Sequence, residues 1–202
     1  MLVMNYFILI LKSIRFIPHI VAYFFFPKRI KPDLKRWMEV IGANPYKNNM
    51  LLAYCWFLIN LKEYRSLVYY RLCRLGNVLT LFAQPMPTCF LTGTLSKNIG
   101  EGLVIHHGHS MRLGAKHVGK NLQIWHNVTV GKSSVSGDSL PVIGDNVKIY
   151  TGAVVLGDIS IGNNVIIGAC SVVLKSVPDD CVVAGNPARV IRRDGKRCDE
   201  NL

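Results

Sequence analysis

His106, His107, His109, His117 and His126, five of the chain's six histidines, fall between residues 106 and 126. The segment Ile99–Leu113 reads IGEGLVIHHGHSMRL. In an extended strand adjacent side chains point to opposite sides, so only one of His106 and His107 faces a given cleft, and Ile105 marks the inward direction. Imidazole suits hydroxyl activation because its ordinary pKa lies near operating pH. A neutral histidine takes the proton of an alcohol as that alcohol attacks a thioester, and the carbonyl oxygen becomes an oxyanion that needs a donor. The chain has no G-x-S-x-G nucleophile signature, so a covalent enzyme intermediate is not called for. Other uses compete. His117 reads as a solvated surface residue, and His109 and His126 read equally well as hydrogen-bonded spacers at a subunit contact. The HHGH cluster invites zinc, but the spaced histidine pair of a three-histidine site is not evident, and no metal is expected.

The elements that carry these histidines follow a period of six. Val118, Ile124 and Val130 form one series, and Ile143, Ile149, Val155, Ile161, Ile167 and Val173 form the next. Four positions after each lies a second small or apolar residue: Leu122, Val128, Val147, Ala153, Ile159, Val165, Ser171 and Val177. Glycine repeatedly follows the aliphatic position, where it lets the chain turn a corner. A fixed internal period marks a solenoid, in which each repeat buries its apolar face only against its neighbours. Six residues per face and three faces per turn give a triangular prism. The register breaks between Val130 and Ile143, where the polar stretch Lys132–Leu140 reads as a protruding loop, and slips by one residue near Met111–Val118. Loops that leave a rigid scaffold are where binding groups sit.

Ahead of the solenoid the pattern is helical. We divide the chain into an apolar, basic leader (1–32), a helical region (33–87), the solenoid (88–193) and a tail (194–202). Asp33 is the candidate N-cap of a helix over 34–41 that Gly42 stops. Asn48 or Asn49 caps a second over 50–61. Residues 63–75 form a third, with Leu67, Tyr70, Leu72 and Leu75 buried and Gly76 as its stop.

The net charge of +12 is concentrated in the first 80 residues, which hold 12 Lys/Arg against Asp33, Glu39 and Glu63. No zinc-finger spacing, basic zipper or RNA-binding signature accompanies it, so a nucleic-acid partner is not expected. Cations interleaved with large apolar residues suit an anionic membrane surface. Residues 2–11 and 16–26 are each too short for a membrane span. The leader therefore either lies on a membrane surface or packs on its own oligomer, and a signal peptide is not expected. The six cysteines show no C-x-x-C pair and read as reduced thiols of a cytoplasmic protein.

Four motifs carry a family resemblance: GLVIHH (102–107), NVTVG (127–131), GACSVVLKSVP (168–178) and AGNPARVIRR (184–193). Residues 98–193 resemble the serine acetyltransferase branch of the hexapeptide-repeat acyltransferases. The resemblance implies an all-β left-handed parallel β-helix behind a small α-helical N-terminal region, acetyl-CoA as co-substrate, no metal, and His107 as catalytic base. It also implies a homotrimer with acetyl-CoA in a groove between neighbouring subunits. The matching positions are Gly131, Thr151, Gly152, Ala169, Asn186, Pro187, Ala188 and Arg189, with Arg192 and Arg193 toward the CoA phosphates.

The departures concern the acceptor. Thr92 stands where the family has an aspartate behind the base, and His106 where it has an aspartate against the substrate. Ser139-Leu140 replaces an Arg-His pair, and Asp138 is the polar residue kept in that loop. The segment EYRSLVYYRL (63–72) resembles shorter serine-acetyltransferase-like proteins of polysaccharide biosynthesis. The expected reaction is acetyl transfer to a sugar hydroxyl of a surface polysaccharide or its lipid-linked precursor, a glycan or glycolipid acceptor oriented by His106 and Asp138. Serine O-acetylation in cysteine biosynthesis is the alternative. A zinc-dependent hydratase or a non-catalytic scaffold is more remote.

Overall fold

The computed structural model describes residues 6–42, 44–91, 98–133 and 139–202, and the chain divides into two compact units between Pro87 and Thr88. The first unit holds six helices among the described residues: α1 (Tyr6–Ser13), α2 (Ile17–Phe25), α3 (Pro27–Val40), α4 (Met50–Asn60), α5 (Lys62–Leu72) and α6 (Arg74–Leu79), with a single 3₁₀ turn at Ile14–Phe16. Its core is aromatic. Trp37 meets Tyr64 edge to face with ring centroids 5.0 Å apart, Phe57 tilts against Tyr64 at 5.3 Å, and all three are fully buried.

The helix ends differ from the sequence reading in three places. Asn49 caps α4 as expected, its side chain accepting from the Leu52 amide. Asp33, by contrast, lies inside α3, which begins at Pro27 and runs through Pro32, so no leader is set apart at residue 32. Its carboxylate is buried and accepts two bonds from the Arg71 guanidinium, Nε at 2.7 Å and Nη2 at 3.2 Å. A forked ion pair satisfies a buried carboxylate better than its own helix terminus would. The third helix breaks at Cys73, whose φ is +53°. Gly76 is then an interior residue of α6: a Cβ there would lie 2.0 Å from the Tyr69 carbonyl oxygen, so the glycine permits close packing of α6 on α5 rather than a stop. Tyr70 and Leu75, expected in the core, are only half-buried.

A buried polar chain ties α2 to α5. The Tyr69 hydroxyl donates to the Ala83 carbonyl at 2.8 Å, so it accepts from His19 Nε2 at 2.7 Å. This leaves His19 Nδ1 as a buried acceptor with no partner. Burial, with Arg65 and Arg15 adding to it, lowers the His19 pKa to about 4.

In the second unit the chain visits three parallel sheets in rotation. One carries β1 (Cys89–Phe90), β3 (Met111–Leu113), β6 (Thr129–Gly131), β9 (Val154–Leu156) and β12 (Val172–Val173). A second carries β4 (His117–Val118), β7 (Val142–Ile143) and β10 (Ser160–Ile161). The third carries β2 (Val104–Ile105), β5 (Gln123–Ile124), β8 (Lys148–Ile149), β11 (Ile166–Ile167) and β13 (Cys181–Gly185). Every residue of both aliphatic series is buried, the least buried being Ile161 at 2 %, and so is every residue of the set four positions later, the least buried being Ile159 at 8 %. The expected tail is a strand: β14 (Ala188–Arg193) turns back on β13, and β15 (Lys196–Asn201) on β14, both antiparallel. The hairpins pair the last sheet's edge, which a free tail would leave unsatisfied.

The glycine after each inward residue does a different job from the one expected. Gly119, Gly144 and Gly162 are absent from the left-handed region. A Cβ on Gly119 would lie 2.5 Å from the Gly144 carbonyl carbon of the next coil, so glycine is there for close approach. The turn itself falls two residues later, at Asn121, Asn146, Asn164 and Asp180, all with φ between +56° and +59°. Asparagine and aspartate tolerate that conformation. Their side chains form a ladder, Asn121 donating to Asn146 at 3.0 Å, Asn146 to Asn164 at 3.1 Å and Asn164 to Asp180 at 2.9 Å.

The His19 chain gives a pH test. His19 is neutral in the folded unit down to about pH 4, whereas in the unfolded chain it protonates near its ordinary pKa of 6.5. The unfolded state therefore binds more protons between these values, and stability falls as pH drops through that window. The expected result is a thermal midpoint that falls from pH 6.5 to pH 4 more steeply in the parent than in His19→Asn. Equal slopes would refute the assignment.

Candidate active site

The histidine segment forms the corner that leads from β2 to β3. Ile105 and Leu113, both inward and buried, are eight residues apart, whereas Ile124 and Val130 at the same corner of the next coil are six apart. This corner holds two extra residues, and the one-residue slip near Met111–Val118 is present as well, Leu113 and Val118 being five apart. His107 (φ +54°) and Ser110 (φ +51°) both take the left-handed conformation to accommodate the two extra residues. His107 is thereby exposed at the corner, and its carbonyl accepts from the His109 amide.

Strand register stacks further residues beneath it. Ile105 pairs with Ile124, Ile124 with Ile149, Ile149 with Ile167 and Ile167 with Val183. Two positions after each of these lie His107, His126, Thr151, Ala169 and Gly185, which form one file down the corner. The file spans four coil steps, about 19 Å at the usual strand spacing. His126 meets His107 edge to face, ring centroids 6.1 Å apart. Thr151 Oγ1 and the Gly152 amide both donate to the His126 carbonyl, at 3.1 and 3.2 Å, which fixes that rung. Gly152 (φ +71°) occupies the turn position, and a Cβ there would lie 3.0 Å from Cys170 Sγ.

A second file runs beside the first. His106 stacks on Trp125 at 4.0 Å and 11°, and Trp125 on Tyr150 at 4.3 Å and 26°; the next rung is Gly168. His106 Nε2 also pairs with Gln123 Oε1 at 3.2 Å. Burial lowers the His106 pKa, a shift that the Gln123 contact opposes and His107 reinforces. A neutral, stacked His106 beside an exposed His107 makes the second the freer imidazole.

The other sequence-selected residues are spread over the unit. Gly131 stands on the next edge of the coil, where a Cβ would meet only Leu156 at 3.9 Å. Asn186 and Pro187 form the exposed turn between β13 and β14, and Ala188 is buried beneath it. Arg189 is engaged with Asp199 (2.8 Å) and Arg193 with Glu200 (2.7 Å), so their guanidinium groups are held along the terminal hairpin. Arg192 is exposed between them. His117 lies on β4, in another sheet, and is exposed. Asp138 and Thr92 lie outside the described residues. His126 is the residue sequence reasoning left unassigned. The signal was available, since a coil offset of 19, read from Ile105 to Ile124, places residue 126 under residue 107. Among the described residues no group of three His, Cys, Asp or Glu is placed to hold a metal ion.

Rungs of six residues around three sheets, with an exposed histidine over a file of small and polar residues, define a hexapeptide-repeat transferase. Residues 141–175 match the family model described as bacterial transferase hexapeptide (six repeats). The chain is 36% identical over 184 residues to a serine acetyltransferase of Staphylococcus xylosus, covering 86% of this chain and 82% of that one. The chain belongs to the hexapeptide-repeat acyltransferase family, with serine acetyltransferases as its relatives. It is also 47% identical over 103 residues to the serine acetyltransferase of Synechococcus elongatus, a match spanning 50% of this chain and only 42% of that protein. Among solved structures it resembles the serine acetyltransferase of Brucella abortus strain S19, with 27% identity, a TM-score of 0.65, and coverage of 85% of this chain and 71% of the other. That protein is also solved in complex with coenzyme A, at 26% identity and a TM-score of 0.61 over 87% of this chain and 68% of the other.

Proposed function

We propose that the chain is an acetyl-CoA-dependent O-acetyltransferase acting on serine, with His107 as its general base. The observation that carries this is the single file of His107, His126, Thr151, Ala169 and Gly185, an exposed base at the head of a strip of small residues that leads to the AGNPAR turn. An extended pantetheine arm lies along such a strip with its thioester at the histidine. His107 takes the proton of the acceptor hydroxyl as its oxygen attacks the thioester carbonyl. The tetrahedral oxyanion then collapses, the C–S bond breaks, and the CoA thiolate recovers the proton from His107. Thr151, Gly152, Ala169, Asn186, Pro187, Ala188 and Arg189 line the donor path, and Arg192 meets the CoA phosphates. His106 and Asp138 are assigned to the acceptor end. The coil is read as left-handed, the hand that the resemblance implies.

The serine reading stood second on the sequence, behind a sugar acceptor. The relatives reported above are named serine acetyltransferases, and they reverse that order. One observation keeps the sugar reading as the second: His106, stacked on Trp125, and Ser139-Leu140 stand where the resemblance implies charged groups for an amino acid. A lost partner for a buried charge costs about 2–5 kcal/mol.

The oligomer follows from Gly131, which sits on a different edge of the coil from Thr151. One chain does not bring the two to one groove, whereas a neighbouring subunit presents its own Gly131 edge. We expect three chains per particle in light scattering; a monomer would overturn this.

His107→Ala is expected to lower kcat with acetyl-CoA by about 10²–10⁴, while His117→Ala leaves it unchanged. Equal loss in both variants, or in neither, would remove His107 from the role of base. A thiol-release assay comparing L-serine with a panel of sugars tests the acceptor. Saturable turnover of L-serine is expected, and CoA release with sugars alone would give the sugar reading first place.

A further inference from the structure

Helix α2 is apolar on two opposite sides. Its inner side buries His19, Ala22 and Tyr23. Its outer side presents Ile17, Val21, Phe24 and Phe25, with Phe25 76% exposed. An ordinary surface helix keeps charged or polar residues on that outer side. Val78, Leu81 and Phe82 extend the patch, Leu81 being 81% exposed. Between them lies a groove of about 350 Å³ shared by Ile17, Val21, Phe25, Val78 and Phe82. A contiguous apolar patch of this kind marks an interaction surface.

Charge decides what covers it. A second, smaller hollow shares Phe25 and Phe26 with the first and is completed by Pro27, Lys28 and Arg29. At the other end Arg15 reaches the Phe82 carbonyl. Lys12, Lys31 and Arg74 stand in the same stretches of chain. Neither residues 1–32 nor residues 64–100 contain an Asp or Glu. A second copy seated on the patch would bring two sets of cations together with no local acid to pair them. An anionic lipid surface instead offers phosphates to the rim and acyl chains to the aromatic centre. No described helix is long and apolar enough to cross a membrane, so the contact is at the surface.

We infer that the face built by α2 and residues 78–82 is a docking surface for an anionic phospholipid membrane. The inference is independent of the acceptor and of His107. Flotation of the full chain with phosphatidylcholine vesicles, with and without phosphatidylglycerol, tests it. The protein is expected to float with the anionic vesicles and to lose that affinity about tenfold or more without phosphatidylglycerol or in Lys28→Glu/Arg29→Glu. Phe25→Ser/Leu81→Ser, at exposed positions, is expected to lose it similarly while keeping its circular dichroism and its thiol-release activity. Equal recovery with neutral vesicles, or parent-like flotation of the Phe25/Leu81 double variant, would overturn the lipid assignment. So would failure to float together with a lower particle mass in that variant, which would assign the face to a second copy.

Discussion

The second unit depends on one close approach, that of the backbone at the edge between β4 and β5 to the backbone of the coil beside it. At Gly119, Gly144 and Gly162 successive coils come so near that a single methyl would meet main-chain atoms. Two residues on, the asparagine ladder runs along the same edge and hydrogen-bonds coil to coil. Glycine lets the coils meet, and asparagine fixes how far along they meet. Because one edge is locked, the inward residues stack without offset and every outward position is aligned with its counterparts. The file beneath His107 is a consequence of that alignment and needs no dedicated contact of its own.

The helical unit is held by different means. Aromatic rings fill its centre, and two polar arrangements within it are fully engaged at most of their atoms: the Asp33–Arg71 fork and the His19–Tyr69–Ala83 chain. Such groups are costly to bury and strongly directional once buried. They link helices distant in sequence, α3 to α5 and α2 to the segment after α6, and so restrict how the apolar faces pack.

The coil was legible in the sequence because its signal is periodic. A buried aliphatic every six residues survives two irregular stretches, and all members of both series are buried. The direction of His107 was not legible in this way: β2 ends at Ile105 and His107 takes the left-handed conformation, so strand alternation from Ile105 does not set where it points. What else was not legible concerns ends and pairings. Asp33 carries the composition of an N-cap but is claimed by Arg71, 38 residues away. Gly76 looks like a helix stop but answers to the Tyr69 carbonyl. Tertiary partners decided both, and no local pattern records them. Residues 196–201 lack apolar alternation, since their pairing rests on backbone bonds to β14. Arg193 was read as free for phosphate and Arg189 as a position of the donor groove, whereas Glu200 and Asp199 on that strand hold them.

The long gap between Val130 and Ile143 leaves Val118 paired with Ile143 and Ile124 with Ile149, as though nothing had been inserted. The coil is thus indifferent to what leaves it at a corner. The two additional residues at the histidine corner are absorbed in the same way, by two left-handed turns. An architecture of this kind separates inheritance into two parts, a rigid repeat under strict steric selection and corner excursions free to change in length and chemistry. New side chains and lengths can arise in the excursions while the file of residues beneath His107, written into the repeat itself, stays in place.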